Sequence, residues 1–305
     1  MSNISPRVDI AFKKIFGVEE NKDLLISLIN SIVSKEDQIT EVKLLNPYNP
    51  KNFKSDKLSI LDIKAQGEDG KRFNIEIQIT DEADYDKRAL YYWAKLYTEQ
   101  LKTAEDYATL SKAIGIHILN FTSILHEDKY HNVFHIVEKD SGLLYFKDLE
   151  LHTIELNKFT NNPKEQLADI VKKVKNSLDM WSTFLTRNDL LNKDALPAEL
   201  NDVSLKKALT VLDVMNFTEE ERAAYEDHLK WLRIEANTLK KFGDKAREEG
   251  REEGIQIGEA RGEAKLIKMM IENGSSIEEV AKITSLSITR INQLLEIKND
   301  PGYLS

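Results

Sequence analysis

The sequence predicts an α/β domain followed by an all-helical region, on three observations. Residues 58–80, LSILDIKAQGEDGKRFNIEIQIT, alternate apolar and polar side chains around an Asp-Gly turn signal, the pattern of a β-hairpin. Around the hairpin, helical and strand periodicities run in the order helix, three strands, helix, strand, further strands. Beyond Asn161-Asn162-Pro163 the apolar patterns take the helical period, which places a boundary there.

The elements follow in order. In residues 8–33, Val8, Phe12, Ile15 and Phe16, then Leu25, Leu28, Ile29 and Ile32, recur at helical spacing, with Gly17 dividing two helices and Asn21 capping the second. A short strand, Ile39 to Leu45, is closed by Asn46-Pro47, and the hairpin follows. Residues 83–108 read as a long helix with Ala89, Tyr92, Trp93, Leu96, Tyr97 and Leu101 on its apolar side; Tyr48, Tyr91 and Tyr97 read as packing residues. AIGIHILNF at 113–121 reads as a buried strand, followed by strand-like HNVFHIVE, LLYF and LHTIEL. Leu167, Ile170, Val171, Val174, Leu178 and Trp181 then form a helical stripe, Leu205, Leu209, Leu212 and Val214 another, and Glu219 to Phe242 a third helix. The expected division is an α/β domain at 1–160, a helical domain at 161–245, and a glycine-repeat helix with a terminal helical pair at 246–305.

The hairpin loop decides the chemistry. A three-residue loop Glu68-Asp69-Gly70, with Gly70 left-handed in a bulge, leaves residues 67 and 71 paired and sets Asp62 opposite Glu76. Opposed residues share a face with their Cβ atoms about 5 Å apart. A two-residue Asp-Gly turn shifts the register by one and sends the carboxylates to opposite faces. The three-residue form is expected. Lys64 and Gln78 then share the face of Asp62 and Glu76.

Composition bounds the rest. The chain has 305 residues, 41% hydrophobic and 31% charged, and a formal net charge of −9 with no basic tail, so bulk charge does not advertise non-specific nucleic-acid binding. It has no cysteine, which excludes disulfides, thiolate zinc sites and cysteine nucleophiles. The N-terminal residues lack the apolar core of a signal peptide and no run is long enough to span a bilayer, so the expected location is the cytoplasm without a membrane. No glycine-rich phosphate loop occurs. His126, His131 and His135 lack zinc-signature spacing and read as strand or surface residues.

Glycines 250, 254, 258 and 262 recur every fourth residue in a charged, helical context. Each costs about 1 kcal/mol against alanine inside a helix, so a helix that keeps them is expected to gain from close helix–helix approach, as between two copies of the chain; a charged hinge is the alternative. The tail SSIEEVAKITSLSITRINQLLEI has the outline of a helix-turn-helix, but only Arg290, Asn292 and Gln293 on its second helix suit DNA, so plain helical packing is expected.

Asp62 and Glu76 are hard oxygen donors suited to Mg²⁺ or Mn²⁺. Gln78 can hold a water or a phosphate, and Lys64 can stabilise developing negative charge. Such parts suit metal-dependent phosphodiester hydrolysis; the same pattern also fits a solvated polar face with a chance acid pair.

The α-β-β-β-α-β order, with Asp on the second strand and Glu-x-Gln on the third, resembles the PD-(D/E)XK nuclease core, a mixed sheet flanked by helices. DIAFKKIFG, LDIKA, FNIEIQ, KRALYYWAKLYTEQL and HTIELNKF, in that order, resemble the Rpn family of recombination-promoting nucleases and transposase-like proteins. The resemblance covers residues 7–159 well and the tail more loosely. It implies that Asp62 and Glu76 bind the metal and that Gln78 stands where many relatives carry a catalytic Lys. It further implies that Asp9 assists the metal or orients Lys13, and that Arg88, Tyr92 and Gln100 contact phosphate or brace the site. The implied substrate is double-stranded DNA cut with little sequence preference, in recombination, mobile-element or phage-defence processes. The missing Lys at 78, and the missing Pro before Asp62, also fit a degenerate nuclease fold that only binds DNA or protein.

Overall fold

The computed structural model describes residues 4–46, 62–79, 84–102, 105–160, 162 and 164–296, leaving aside the side chains at 62, 228, 231–244, 246, 249 and 256. Tyr48 and the expected strand start at 58–61 lie outside the described residues. The elements are α1 (Asp9–Phe16), α2 (Lys22–Ile32), β1 (Val42–Leu44), β2 (Asp62–Gly67), β3 (Arg72–Gln78), α3 (Tyr85–Thr98), β4 (Ala113–Leu119), β5 (His131–Val137) and β6 (Leu144–Glu155). Helices α4 (Leu156–Phe159), α5 (Leu167–Val171), α6 (Ser177–Arg187), α7 (Val203–Asp213), α8 (Glu219–Glu272), α9 (Ile277–Thr284) and α10 (Ile288–Glu296) follow.

Among the described residues the strands form one mixed sheet in the order β1-β2-β3-β4-β6-β5. The β3–β4 and β4–β6 pairs are parallel and the others antiparallel. A parallel pair needs a crossover, and α3 supplies it between β3 and β4. The hairpin has the three-residue loop: the Gly67 N–H donates to Lys71 O at 2.9 Å, and Gly70 sits at φ 87°, where glycine avoids the Cβ clash. The two final strand-like segments expected from the sequence are one continuous strand, β6.

One sheet face carries Ile63 and Ala65, then Phe73, Ile75 and Ile77, then Ile114, Ile116 and Ile118, all essentially inaccessible. Phe12, Phe16, Leu24, Leu25, Leu28 and Ile29 from α1 and α2 share that core with Trp181, Phe184, Leu205 and Ala208 from α6 and α7. The helices after residue 160 therefore complete the core of the sheet, and the chain parts into compact units at 1–232 and 233–305. Apolar stripes reveal that a helix has a buried face but not what it packs against, which is why the sequence suggested a break at 160.

The opposite face differs from the expectation of one buried side. Asn74, Glu76 and Gln78, the polar positions of β3, are 1%, 2% and 7% exposed. Trp93 and Leu96 of α3 pack on Ala113 of β4 and Leu149 of β6, and the Trp93 indole N–H donates to Ala113 O at 2.8 Å. The second unit has its own cluster, in which Ala264 and Ile267 pack with Val280 of α9 and Ile291 and Leu294 of α10. The glycine repeat lies inside continuous α8, with nothing within 4 Å of a Cβ built at any of the four positions. The alternative of a hinge therefore gives way to helix, and among the described residues no close contact occupies the repeat.

Candidate active site

The strand register assembles a polar row under α3. Asp62 pairs with Glu76, Glu76 with His117, His117 with Thr153, and Thr153 with Asn132, so one transverse line across five strands is polar throughout. The Asp62–Glu76 pairing is the one that the three-residue loop predicts. The side chain of Asp62 lies outside the described residues.

Within the row, polar atoms lack partners. Glu76 Oε2, His117 Nε2, Thr153 Oγ1 and both amide atoms of neighbouring Asn74 are buried and take no hydrogen bond among the described residues. Each such orphan costs roughly 1–3 kcal/mol. Native structures keep few of them, and they concentrate where a ligand, ion or reaction uses them. His117 Nδ1 shares a proton with the Tyr85 hydroxyl at 2.7 Å and lies 3.6 Å from Glu76 Oε2. Gly115 makes room for that ring: a Cβ there would come within 3.0 Å of His117 Nε2 and 2.7 Å of Leu151 Cδ2. The Tyr85 hydroxyl thus links α3 to the row, and the Arg88 guanidinium of the same helix lies 5.3 Å from the centre of the Tyr85 ring.

The remaining expected residues fall in different places. Gln78 is buried at the end of β3, its carbonyl accepting from the Asn120 N–H at 2.9 Å. Asp9 is half-buried in the first turn of α1. Lys13, one turn on, is 5% exposed, and its Cγ and Ile63 Cγ1 both border Gly17. Lys64 is not held ready for a phosphate; its ammonium lies 3.5 Å from Glu99 Oε2 near the C-terminal end of α3. Tyr92 is half-buried against Tyr91, with ring centres 5.7 Å apart. Gln100 is used structurally, its amide bonding both backbone groups of Ser111 at 2.9 and 3.0 Å. Tyr91, expected to pack, is 63% exposed. Sequence reasoning missed His117, Tyr85 and Asn74; a lone His among isoleucines, with the parity of Glu76 on a parallel neighbour, was the available signal.

A second polar cluster occupies the other face. His152 donates from Nε2 to Glu150 Oε1 at 2.7 Å and shares a proton with His131 Nε2 at 2.9 Å through Nδ1. Lys112 Nζ lies 2.7 Å from both Glu150 Oε2 and Asp37 Oδ2. Burial pushes the Glu150 carboxyl up, but the bonds from His152 and Lys112 outweigh it and hold its pKa at about 2. Burial, reinforced by the charge of His152, pushes the His131 imidazole down to about 4. His126 is exposed. Among the described residues no three His, Cys, Asp or Glu side chains are placed to hold a metal.

A divalent ion fits the first cluster better. Mg²⁺ keeps several waters and needs only one or two protein carboxylates. The orphaned Glu76 Oε2 supplies one open oxygen, and the register places Asp62 beside it.

A mixed sheet flanked by helices, with paired acids on adjacent strands beside a crossover helix, is the architecture of a PD-(D/E)XK-like α/β fold. The family model described as PD-(D/E)XK nuclease family transposase matches residues 6–241, and the chain belongs to that family. Membership points to a nuclease-like function, in a superfamily that generally uses divalent metals. No curated protein matches the chain. No solved structure matches it either. Among the described residues no helix is long and apolar enough to cross a membrane.

Proposed function

We propose that the chain is a divalent-metal-dependent endonuclease that hydrolyses phosphodiester bonds of double-stranded DNA with little sequence preference. One observation carries the reading: the register pairs Asp62 with a buried Glu76 whose Oε2 has no hydrogen bond among the described residues. In this reading Asp62 and Glu76 hold Mg²⁺ or Mn²⁺. The bound ion would neutralise charge on a phosphate oxygen and make its water more acidic. Gln78 positions that water or the phosphate by hydrogen bonds, since an amide cannot serve as a base. Lys64 contributes positive charge after release from Glu99, and Asp9 and Arg88 support the site from α1 and α3, with Tyr92 and Gln100 bracing α3.

Purified protein is expected to nick supercoiled plasmid with Mg²⁺ and to stop on addition of chelator. Asp62→Ala and Glu76→Ala should each abolish nicking with an unchanged circular-dichroism spectrum. Undiminished cutting by either variant removes the assignment. The family resemblance supports roles in recombination, mobile elements or phage defence, and a cytoplasmic setting. The glycine-repeat helix and terminal pair are proposed to join two copies of the chain.

A second reading has support of its own. Gln78 stands where a catalytic Lys is expected, and Lys64 is paired with Glu99. Both suit a degenerate nuclease that binds DNA or protein without cutting. Calorimetry with Mn²⁺ separates the two, because the degenerate form is expected to bind no metal.

A further inference from the structure

Beyond the C-terminal ends of β3 and β4 lies a polar cleft that the catalytic reading does not use. Its volume is about 520 Å³, and Arg7, Asn120, Asn157, Thr160, Arg187 and Asp189 contribute to its wall. Asn120 directly follows β4, and its backbone N–H is bonded to the carbonyl of Gln78, so the cleft starts at the C-terminal ends of β3 and β4. Along β4, His117 and Asn120 are three residues apart, on the order of 10 Å.

The two arginines of the cleft are in different states. Arg187 is committed: Nη1 donates to Glu165 O at 2.8 Å, and Nε and Nη2 reach the Asp189 carboxylate at 3.2 and 3.4 Å. Arg7 is not. Nη1 donates to Asn120 Oδ1 at 2.5 Å, and its other N–H groups take no hydrogen bond among the described residues. Asp189 attracts Arg7 only from a distance, while burial pulls the guanidinium pKa down, so the charge is desolvated with little compensation. The Asn120 amide turns its oxygen to Arg7, and its NH₂ takes no hydrogen bond among the described residues. The lining thus offers open N–H donors beside one unpaired acceptor, Asn157 Oδ1, and one positive charge in excess, in a chain of net charge −9. A planar guanidinium with paired free N–H groups matches the geometry of two phosphate oxygens.

We propose that this cleft seats a phosphate of the nucleic-acid strand adjacent to the bond being cut, with Arg7 as its principal ligand and the Asn120 amide beside it. The proposal rests on the nuclease reading and adds to it a substrate-binding site distinct from the metal ligands. A backbone phosphate suits the cleft better than a free nucleotide, because its described lining offers no aromatic platform for a base and its Asn120 is bonded through the backbone to Gln78 at the end of β3.

The test is fluorescence anisotropy of a labelled duplex oligonucleotide with the full chain, under chelator so that nothing is cut, across a range of salt. Arg7→Gln is expected to weaken binding roughly tenfold and to lower the slope of log affinity against log salt by about one. Asn120→Asp, nearly isosteric and able to pair with Arg7, should weaken it comparably, and it serves if the glutamine variant folds poorly. Lys193→Gln, which removes an exposed lysine paired with Asp213, should change neither quantity. Unchanged affinity and slope in both cleft variants overturn the proposal, as does an absence of duplex binding by the parent chain. So does tight binding of inorganic phosphate that Arg7→Gln abolishes while duplex binding persists, which assigns the cleft to a small anion. The catalytic reading fails separately: a chain that binds duplex through Arg7 but cuts equally well as Glu76→Ala keeps this site and loses that one.

Discussion

Two buried glutamates on opposite faces of the same sheet have opposite surroundings. Glu150 on β6 is saturated: His152 Nε2 and Lys112 Nζ each stand 2.7 Å from its oxygens, and His135 Nε2 is 3.5 Å away. Glu76 on β3 is as deeply buried, yet Oε2 has no hydrogen bond among the described residues, with His117 Nδ1 at 3.6 Å. The difference teaches that burial alone does not mark a functional acid. Saturation at Glu150 is what a structural carboxylate needs in a poorly polarisable interior. Unsatisfied capacity at Glu76 is a standing cost of roughly 1–3 kcal/mol that an arriving cation can offset.

The comparison breaks most visibly on stability. Glu150→Ala strands Lys112 and His152 without their shared acceptor, and such a loss costs roughly 3–5 kcal/mol. In a unit of this size that lowers the melting temperature by about 10 °C. Glu76→Gln should leave the melting temperature unchanged or raise it, because a neutral amide is cheaper to bury than a carboxylate, and should abolish cutting. Thermal melts of the two variants beside plasmid nicking check this. Equal destabilisation by both would show that Glu76 is structural after all.

A second effect follows from proton linkage. The pKa of His131 is depressed to about 4 in the folded chain from an ordinary value near 6.5, so the unfolded chain binds the extra proton first as pH falls. Stability from this group is complete above about pH 6.5 and is lost as pH drops towards 4. Glu150, held at about 2, adds a further loss between its unfolded value near 4.5 and that figure. Melting temperature is therefore expected to be flat from pH 8 to about 6.5 and to decline below it. His131→Gln should flatten the upper part of the decline, and a parallel curve for the variant would place its origin elsewhere.

These two faces were unequally legible in the sequence. The hairpin, its loop and the Asp62–Glu76 pairing follow from alternation and from Gly70, because strand register is a local property of the turn. The apolar face was legible for the same reason. The burial of Asn74, Glu76 and Gln78 was not, since alternation predicts a solvated polar side and nothing local announces that α3 covers it. His117 and Thr153 come together only through the β4–β6 pairing, and His131 and His152 only through the β5–β6 pairing, long-range contacts that spacing along the chain does not encode. Lys64 shows the converse: its face was read correctly, but its partner Glu99, brought near by the crossover helix, was invisible. The extent of the core was hidden too, because the stripes of α6 and α7 look the same whether they pack on a sheet or on each other.

The smallest expected effect probes how the unsaturated acid is kept open. The Tyr85 hydroxyl engages His117 Nδ1 at 2.7 Å, and the ring is held against Gly115 with no room for a Cβ. While that bond stands, Nδ1 does not donate to Glu76 Oε2. Tyr85→Phe removes one hydrogen bond, worth about 1 kcal/mol of stability, and frees the ring to turn its N–H towards the carboxylate. The lone pair proposed for the metal is then partly occupied. Half-maximal nicking should require severalfold more Mg²⁺, with the maximal rate and the fold little changed. Gly115→Ala forces the ring in the same direction by contact and should shift the Mg²⁺ requirement likewise, at a larger cost in melting temperature. A Mg²⁺ dependence unaltered in both variants would mean that His117 and Tyr85 leave Glu76 unattended, and that the openness of the acid is set by its own strand alone.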